Sequence, residues 1–163
     1  MNNTEVILAL GGNLGNVPES FKKAIDLLNQ NQFIVLKKAK NHLTKAENCE
    51  SGTPDFINSA LLGTWSGTPD ELLALCQKIE IICGRPKIHS STQSRTLDID
   101  IITFGNQIIN SDSLKIPHPY ATKRFFVLKP ISEIKPDLTI PQSNATVFQL
   151  LDKLVNHKNG NCS

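Results

Sequence analysis

The 163-residue chain has little of several residue types that would narrow its class at once. It has one tryptophan, one tyrosine and one methionine, and none of its four cysteines forms a C-x-x-C pair. That spacing is typical of zinc and redox sites, so neither is expected here. Cys76 and Cys83 lie seven apart in a helical pattern, and we interpret both as small core thiols.

Excess charge and long apolar runs are also missing. The 17 basic and 15 acidic side chains leave a net charge of +2, too near neutral to indicate nucleic acid or a membrane surface as a partner. No apolar run approaches the ~20 residues of a membrane span, and no signal-peptide pattern opens the chain. We therefore expect a cytoplasmic protein that binds neither nucleic acid nor membrane.

The remaining composition is that of a globular domain, with 39% hydrophobic and 20% charged residues. We predict one domain over residues 1–155 and a polar, frayed tail over 156–163. Apolar periodicity predicts strands in TEVILAL, FIVLKKAK, FINSALLGTW and RTLDIDIITFG. Residues 41–55 and 85–95 are polar and are predicted to be exposed loops.

Helix signals separate these strands. Pro18 opens one amphipathic stretch, and Thr68 with Glu71 resembles a capping box before a second, which ends at Gly84. We predict that the second helix buries one stripe: Leu72, Leu75, Cys76, Ile79, Ile82 and Cys83. Further along, the sequence indicates a short strand after GNQII and helices in FVLKPISEI and ATVFQLLDKLV.

The order β-α-β-β-α-β predicts an α+β fold with a ferredoxin-like core. That core would be a mainly antiparallel sheet with helices on one face and long loops at a site. The GGNLGN segment after the first strand matches neither the Walker A nor the G-x-G-x-x-G pattern. We interpret Gly11, Gly12 and Gly15 as a tight structural turn.

A pair of acids interrupts one face of the fourth strand. Asp98 and Asp100 are two residues apart and point the same way, while Leu97, Ile99 and Ile101 face the core. Two carboxylates this close repel each other unless a cation lies between or before them. Oxygen ligands suit Mg²⁺, which in turn recruits phosphate oxygens. A solvated strand face is the alternative interpretation.

Cationic side chains flank the acid pair on both sides along the chain. Cations around an acidic metal pair are what polyphosphate chemistry requires, although exposed loops are often basic. These side chains are Arg85, Lys87, His89 and Arg95 before the pair, and Lys115, His118, Lys123 and Arg124 after it. In a separate strand, Phe56 and Asn58 share a face that can stack on and hydrogen-bond a flat heterocycle, or simply pack in the core.

With these residues in view, the chain resembles the 6-hydroxymethyl-7,8-dihydropterin pyrophosphokinases of folate biosynthesis. The resemblance runs in order through LALGGNLGN, DFINSA, RTLDIDIITFGNQIIN and IPHPYATKRFFVLKPISEI to about Leu151. It implies an enzyme that transfers the diphosphate of ATP to the pterin hydroxymethyl group and releases AMP. It also implies two Mg²⁺ ions held by Asp98 and Asp100, with Arg85 and Arg95 assisting catalysis.

The same resemblance assigns the two substrates. It implies that ATP is bound by His118, Arg124, Lys115 and Gln77. It implies that the pterin is bound by Thr44, Phe56, Asn58 and Phe126, with the ring held between the two phenylalanines. We expect a monomer.

The sequence departs from the family at three places. Thr92, Gln93 and Ser94 stand where W-G-P is common, and Lys45 and Ala46 follow Thr44 where T-P-P is usual. Phe56 stands where the first pterin aromatic is often tyrosine. These departures concern loop closure and substrate affinity more than chemistry.

Two other classes of function stay open. Some nucleotidyltransferases use a glycine turn followed by a D-x-D strand, but there the two motifs are close in sequence. Here a helix, two strands and a second helix separate Gly12 from Asp98. A non-catalytic ferredoxin-like module for a small ligand or metal is the other alternative.

Overall fold

An antiparallel sheet forms the centre of the computed structural model, which describes residues 3–44, 55–84 and 96–156. The strand order is β2-β4-β1-β5, and β3 pairs with β4 beside β2. These strands are β1 (Thr4–Gly12), β2 (Ile34–Lys38), β3 (His42–Thr44), β4 (Phe56–Trp65) and β5 (Asp98–Phe104). The prediction of an α+β fold with an antiparallel sheet is confirmed.

Four α-helices, a short 3-10 helix (Ala121–Lys123) and two small hairpins complete the described part of the chain. The helices are α1 (Val17–Gln30), α2 (Pro69–Ile82), α3 (Phe125–Ile134) and α4 (Val147–Asn156). The hairpins are β6 (Ile109–Asn110) with β7 (Lys115–Ile116), and β8 (Thr139–Ile140) with β9 (Ala145–Thr146). No helix in the described ranges has the length and apolarity needed to cross a membrane.

The caps of α1 and α2 are the local signals that place these helices. The Asn16 side chain accepts a hydrogen bond from the Glu19 backbone N–H at 3.2 Å, and proline occupies the first turn. Thr68 and Glu71 form both bonds of the predicted capping box, at 2.9 and 3.1 Å. After α2, Gly84 has φ +110°, a conformation that favours glycine and stops the helix.

Helices cover both faces of the sheet, whereas the sequence predicted helices on one face. On the α1–α2 face, Leu8, Leu10 and Ile99 pack with Phe21 and Leu72. The opposite face carries a second apolar cluster: Ile7, Ala60, Leu62, Ile102, Leu128, Ile131 and Val147. Since β1 and β4 are apolar on both sides, a single helical layer would have left one face exposed to water.

The glycines near the end of β1 act differently from the predicted turn. β1 continues through Gly11 and Gly12, and only Gly15 adopts a left-handed conformation, with φ +69°. A Cβ on Gly12 would lie 2.6 Å from the Thr96 carbonyl oxygen. Gly12 is therefore required where β1 closely approaches the chain entering β5, rather than for a turn.

Other boundaries also needed correction. The predicted loop at 41–55 contains β3, whose short polar sequence has no alternating apolar pattern and forms through pairing with β4. Ile82, predicted on the buried stripe of α2, is 44% exposed because it ends the helix. α4 extends to Asn156, which had been assigned to the tail. Residues 157–163 lie outside the described ranges.

Gly63 offers a direct test of packing in this sheet. A Cβ there would lie 2.3 Å from a ring carbon of the buried Phe33 and 2.7 Å from the Ile34 carbonyl oxygen. We expect Gly63→Ala to lower the free energy of unfolding by about 2 kcal/mol, because the close-packed core cannot absorb a methyl group. Urea denaturation measures this. The exposed Ser66→Ala should change stability by less than about 0.5 kcal/mol, and equal effects of the two would contradict the packing argument.

Candidate functional site

One row of paired residues crosses four strands of the sheet, near the C-terminal end of β1. Gly11 of β1 is the cross-strand partner of Asp98 in β5 and of Asn58 in β4, and Asn58 is the partner of His42 in β3. Directly opposed residues of antiparallel strands project to the same face. This cross-strand row, Asp98–Gly11–Asn58–His42, therefore places an acid and an amide on one face with a position lacking a side chain between them.

Gly11 leaves the middle of the cross-strand row open. A Cβ at this position would lie 3.2 Å from Oδ1 of Asn58, closer than most such contacts. The next pair on the same face also joins a small residue, Ala9, to an acidic one, Asp100. Between the acids and the amide, no large side chain therefore rises from the sheet. A flat ligand could lie across β1 there.

A hydrogen bond to α2, on the opposite face of the sheet, holds the strand that carries the acid pair. Asp98 and Asp100 are partly exposed, while the intervening Ile99 is buried, as predicted. The Ile99 backbone N–H donates to Oε2 of Glu80 on α2 at 2.7 Å, and Glu80 is only 7% exposed. This bond gives a backbone donor of the outer strand a buried partner and holds the segment that carries both acids.

His118 lies next to the acids. Its backbone N–H donates to the Ile102 carbonyl of β5 at 3.0 Å, and its Nε2 lies 4.0 Å from Oδ2 of Asp100. Burial lowers the pKa of His118, the Arg124 charge lowers this pKa further, and Asp98 opposes both. Since Nδ1 accepts from the Tyr120 N–H at 3.3 Å, the proton of the neutral ring belongs on Nε2, facing the acids.

Arg124 is held between aromatic rings at the start of α3. Its guanidinium carbon lies 5.0 Å from the ring centroid of Tyr120 and 5.7 Å from that of Phe126. Cation–π contacts of this kind orient a guanidinium while leaving its N–H donors available to an anion. Tyr120 also meets the His118 ring edge-on at 6.2 Å. One short segment thus carries the imidazole and the guanidinium together.

Three of the four residues assigned to the pterin by resemblance, Thr44, Phe56 and Asn58, lie at the other end of the cross-strand row. Thr44 in β3 faces Phe56 in β4, and Thr44 Oγ1 accepts a hydrogen bond from Nδ2 of Asn58 at 2.9 Å. Asn58 is 9% exposed. This bond orients the amide so that its Oδ1 is directed to the Gly11 side. Phe126 lies in the first turn of α3, the helix that packs across β4.

The remaining predicted site residues are less closely joined to this group. Gln77 is exposed on α2, one turn before Glu80. Lys115 donates to Asn110 Oδ1 at 2.9 Å and to the Ser111 carbonyl at 3.4 Å, within the β6–β7 hairpin. Arg85 and Arg95 lie outside the described residues, as do Lys45, Ala46 and Thr92–Ser94. Roles in ATP binding and catalysis for these residues stay predictions.

The acid pair fits a hard divalent cation in its chemistry. Two carboxylates project from alternate residues of one strand, with oxygen as the donor atom in each case. In the ranges that the structure describes, no three His, Cys, Asp or Glu side chains converge on a metal position. Mg²⁺ is commonly held by one or two carboxylates and completed by water and substrate phosphates, so a two-carboxylate site suits Mg²⁺ delivered with a polyphosphate.

Two residues near the site were not recognised from the sequence. Glu80 falls four residues after Cys76 and eight after Leu72, on the buried stripe of α2, and an acid there was a readable signal. Tyr120 lies in the IPHPYATKRF segment, but the sequence alone does not show the contacts of its ring with His118 and Arg124.

The chain is similar to known proteins in both sequence and structure. The sequence profile of the family described as 7,8-dihydro-6-hydroxymethylpterin-pyrophosphokinase (HPPK) matches residues 7–136. A protein of Pneumocystis carinii, "Folic acid synthesis protein fol1", is 35% identical over 96% of this chain, which spans 21% of that protein. The "2-amino-4-hydroxy-6-hydroxymethyldihydropteridine pyrophosphokinase" of Synechocystis sp. is 33% identical over 91% of this chain and 75% of its own length.

Solved structures share the fold at low sequence identity. The wild-type HPPK-DHPS of Plasmodium falciparum with pteroate superposes with a TM-score of 0.79 at 14% identity. It covers 98% of this chain, and this chain spans 46% of it. The chain thus spans about a fifth of the fungal relative and about half of this structural neighbour.

The Thr44–Asn58 hydrogen bond can be measured in the free protein. We expect a double-mutant cycle with Thr44→Val and Asn58→Ala to give a coupling free energy of about 1 kcal/mol, since each single change removes the same bond. Thermal or urea unfolding supplies the four stabilities. Pairing Thr44→Val with Asn110→Ala, whose side chain bonds Lys115 instead, should be additive. Additivity in the first cycle would show that the bond does not form.

Proposed function

Because the chain belongs to the 7,8-dihydro-6-hydroxymethylpterin-pyrophosphokinase family, we propose that it is an ATP-dependent diphosphotransferase of folate biosynthesis. It would transfer the diphosphate of ATP to 6-hydroxymethyl-7,8-dihydropterin and release AMP. The observation that carries this proposal is the cross-strand row, in which Asp98 and Asn58 share one face across the open Gly11 position.

Asp98 and Asp100 would hold magnesium. Bound there, Mg²⁺ would supply positive charge that neutralises the triphosphate, and two ions are proposed here. The support is the paired carboxylates on one strand face and the Glu80 bond behind them.

His118 and Arg124 would bind the phosphates. A neutral imidazole with its proton on Nε2 donates a hydrogen bond without adding charge, whereas the guanidinium provides several donors in a fixed plane. Their shared segment and their contacts with Tyr120 support this assignment. Arg85, Arg95, Lys115 and Gln77 complete the proposed set on sequence grounds.

Thr44, Phe56, Asn58 and Phe126 would bind the pterin. The Asn58 amide, held by Thr44, can pair with the polar edge of the heterocycle, because an amide offers both a donor and an acceptor. The two phenylalanines would cover its faces. Since Thr44 and Asn58 lie on β3 and β4 and the acids lie on β5, the reacting atoms would meet over β1.

The transfer itself needs no covalent enzyme intermediate. The hydroxymethyl oxygen would form a bond to the β-phosphorus of ATP and release its proton to solvent, while the bond from that phosphorus to the oxygen bridging the α-phosphorus breaks and AMP leaves. The residues contribute by positioning the two substrates in line and by stabilising charge on the phosphate oxygens.

The remaining parts of this proposal concern the topology, the domain bounds, the oligomeric state and the location. The ferredoxin-like topology is supported by the β2-β4-β1-β5 order and by α1 and α2 packing on one face. The domain bounds of 1–155, the monomeric state and the cytoplasmic location stay predictions.

Product identity separates this proposal from its alternatives. Purified protein would be incubated with ATP and MgCl₂, with and without 6-hydroxymethyl-7,8-dihydropterin, and the nucleotides separated by ion-exchange chromatography. AMP that appears only with the pterin supports the diphosphotransferase. Release of pyrophosphate instead indicates a nucleotidyltransferase, and no turnover by folded protein favours a binding module.

The acid pair should control this reaction. We expect Asp98→Ala or Asp100→Ala to reduce pterin-dependent AMP formation at least about a hundredfold, because either change removes charge that positions the metal and the polyphosphate. Asp112→Ala, at an exposed carboxylate in the β6–β7 turn, is the matched control and should keep full activity. Activity retained by both strand variants would remove these acids from the mechanism.

A further inference from the structure

His42 and Glu133 form a contact between β3 and α3 that the proposed chemistry does not use. Nε2 of His42 lies 2.7 Å from Oε2 of Glu133, and both side chains are 26% exposed. The other carboxylate oxygen of Glu133 accepts the backbone N–H of Lys40 at 3.1 Å. Glu133 of α3 therefore contacts β3 at His42 and the connection before β3 at Lys40.

The strand held in this way carries one wall of the pterin site. His42 is the last member of the cross-strand row, directly opposite Asn58, and Thr44 lies two residues further on the same face. Thr44 is the acceptor for the Asn58 amide. With only three residues, β3 has few ladder bonds of its own, so side-chain contacts contribute much of its fixed position.

The helix on the other side of the contact carries Phe126, the second aromatic residue proposed for the pterin. Phe126 and Glu133 are seven residues apart in α3 and so lie on the same side of this helix, about two turns from each other. The close contact of Glu133 with His42 therefore links the helix bearing Phe126 to the strand bearing Thr44. The placement of Phe126 relative to Thr44 depends on a pair that touches neither substrate.

On the basis of the proposed function, we propose that His42 and Glu133 are positioning residues that set the pterin pocket by fastening β3 to α3. They act through Thr44, Asn58 and Phe126. Loss of the pair would weaken pterin binding while ATP binding and the rate at saturation stay nearly unchanged, because His118 is held through β5 and Arg124 keeps its contact with Tyr120, and neither contact involves Glu133.

The alternative to a positioning role is that His42 and Glu133 form an ordinary surface ion pair with a small effect on stability. The chain offers a matched control for it on the same helix end. Lys135 Nζ lies 3.3 Å from Oε1 of Glu5, with exposures of 31% and 44%, and joins the end of α3 to the start of β1. Glu5 lies near the opposite end of β1 from Gly11.

The experiment measures KM for the pterin, KM for ATP and kcat in Glu133→Ala, Glu133→Gln and Glu5→Gln. We expect Glu133→Ala to raise the pterin KM roughly tenfold, with the ATP KM and kcat within about twofold of the wild type. Glu133→Gln should recover most of this loss, since its amide oxygen still accepts from Lys40 and its amide group can pair with a neutral imidazole. Glu5→Gln should match the wild type.

Amide hydrogen exchange of the free protein supplies a readout independent of activity. Glu133→Ala should speed exchange at the β3 and β4 amides around Thr44, and Glu5→Gln should not. An unchanged pterin KM in an active Glu133→Ala variant, or an equal effect of Glu5→Gln, overturns this inference and leaves the proposed function standing. A folded wild type that forms no pterin-dependent AMP overturns the proposed function and this inference with it.

Discussion

The antiparallel register of β5, β1, β4 and β3 is the constraint on which the rest of the site depends. It brings Asp98, Asn58 and His42, which are distant in sequence, into one row on one face. A slip of one residue in any of these strands would turn its polar side chains to the opposite face. The two apolar cores resist such a slip, because Leu8 and Ile7 belong to different clusters and would exchange places.

Glycine and alanine shape the surface above this register. Gly12 permits the close approach of β1 to Thr96. Gly11 leaves the sheet without a side chain between Asp98 and Asn58. The acidic and basic groups around this part of the sheet lie on different elements. The carboxylates are on β5, and the guanidinium and the imidazole are on the segment leading into α3. The position of His118 illustrates the balance, since burial and Arg124 favour its neutral form while Asp98 favours its charged form.

Much of the fold could be predicted from local pattern. The helices α1 and α2 had caps and periodicity, and the strands β1, β4 and β5 had apolar runs with clear ends. β3 could not be predicted, because HLT has no periodicity and forms by pairing with a neighbour already in the sheet. The second helical layer was missed for a related reason: β4 is apolar on both faces, and a continuous apolar run does not by itself say what covers each side.

The sequence by itself determined the residue types and the local elements: two acids alternating with buried aliphatics, a capping box, glycines at close approaches, and an ordered set of motifs that identified the family. Only the tertiary structure decided which of these residues meet. The Thr44–Asn58 bond, the bond from the Ile99 N–H to Glu80 and the His42–Glu133 contact all join different parts of the chain. Local pattern reports how each residue relates to its own helix or strand, whereas these contacts depend on strand register and helix packing, which are properties of the whole folded chain.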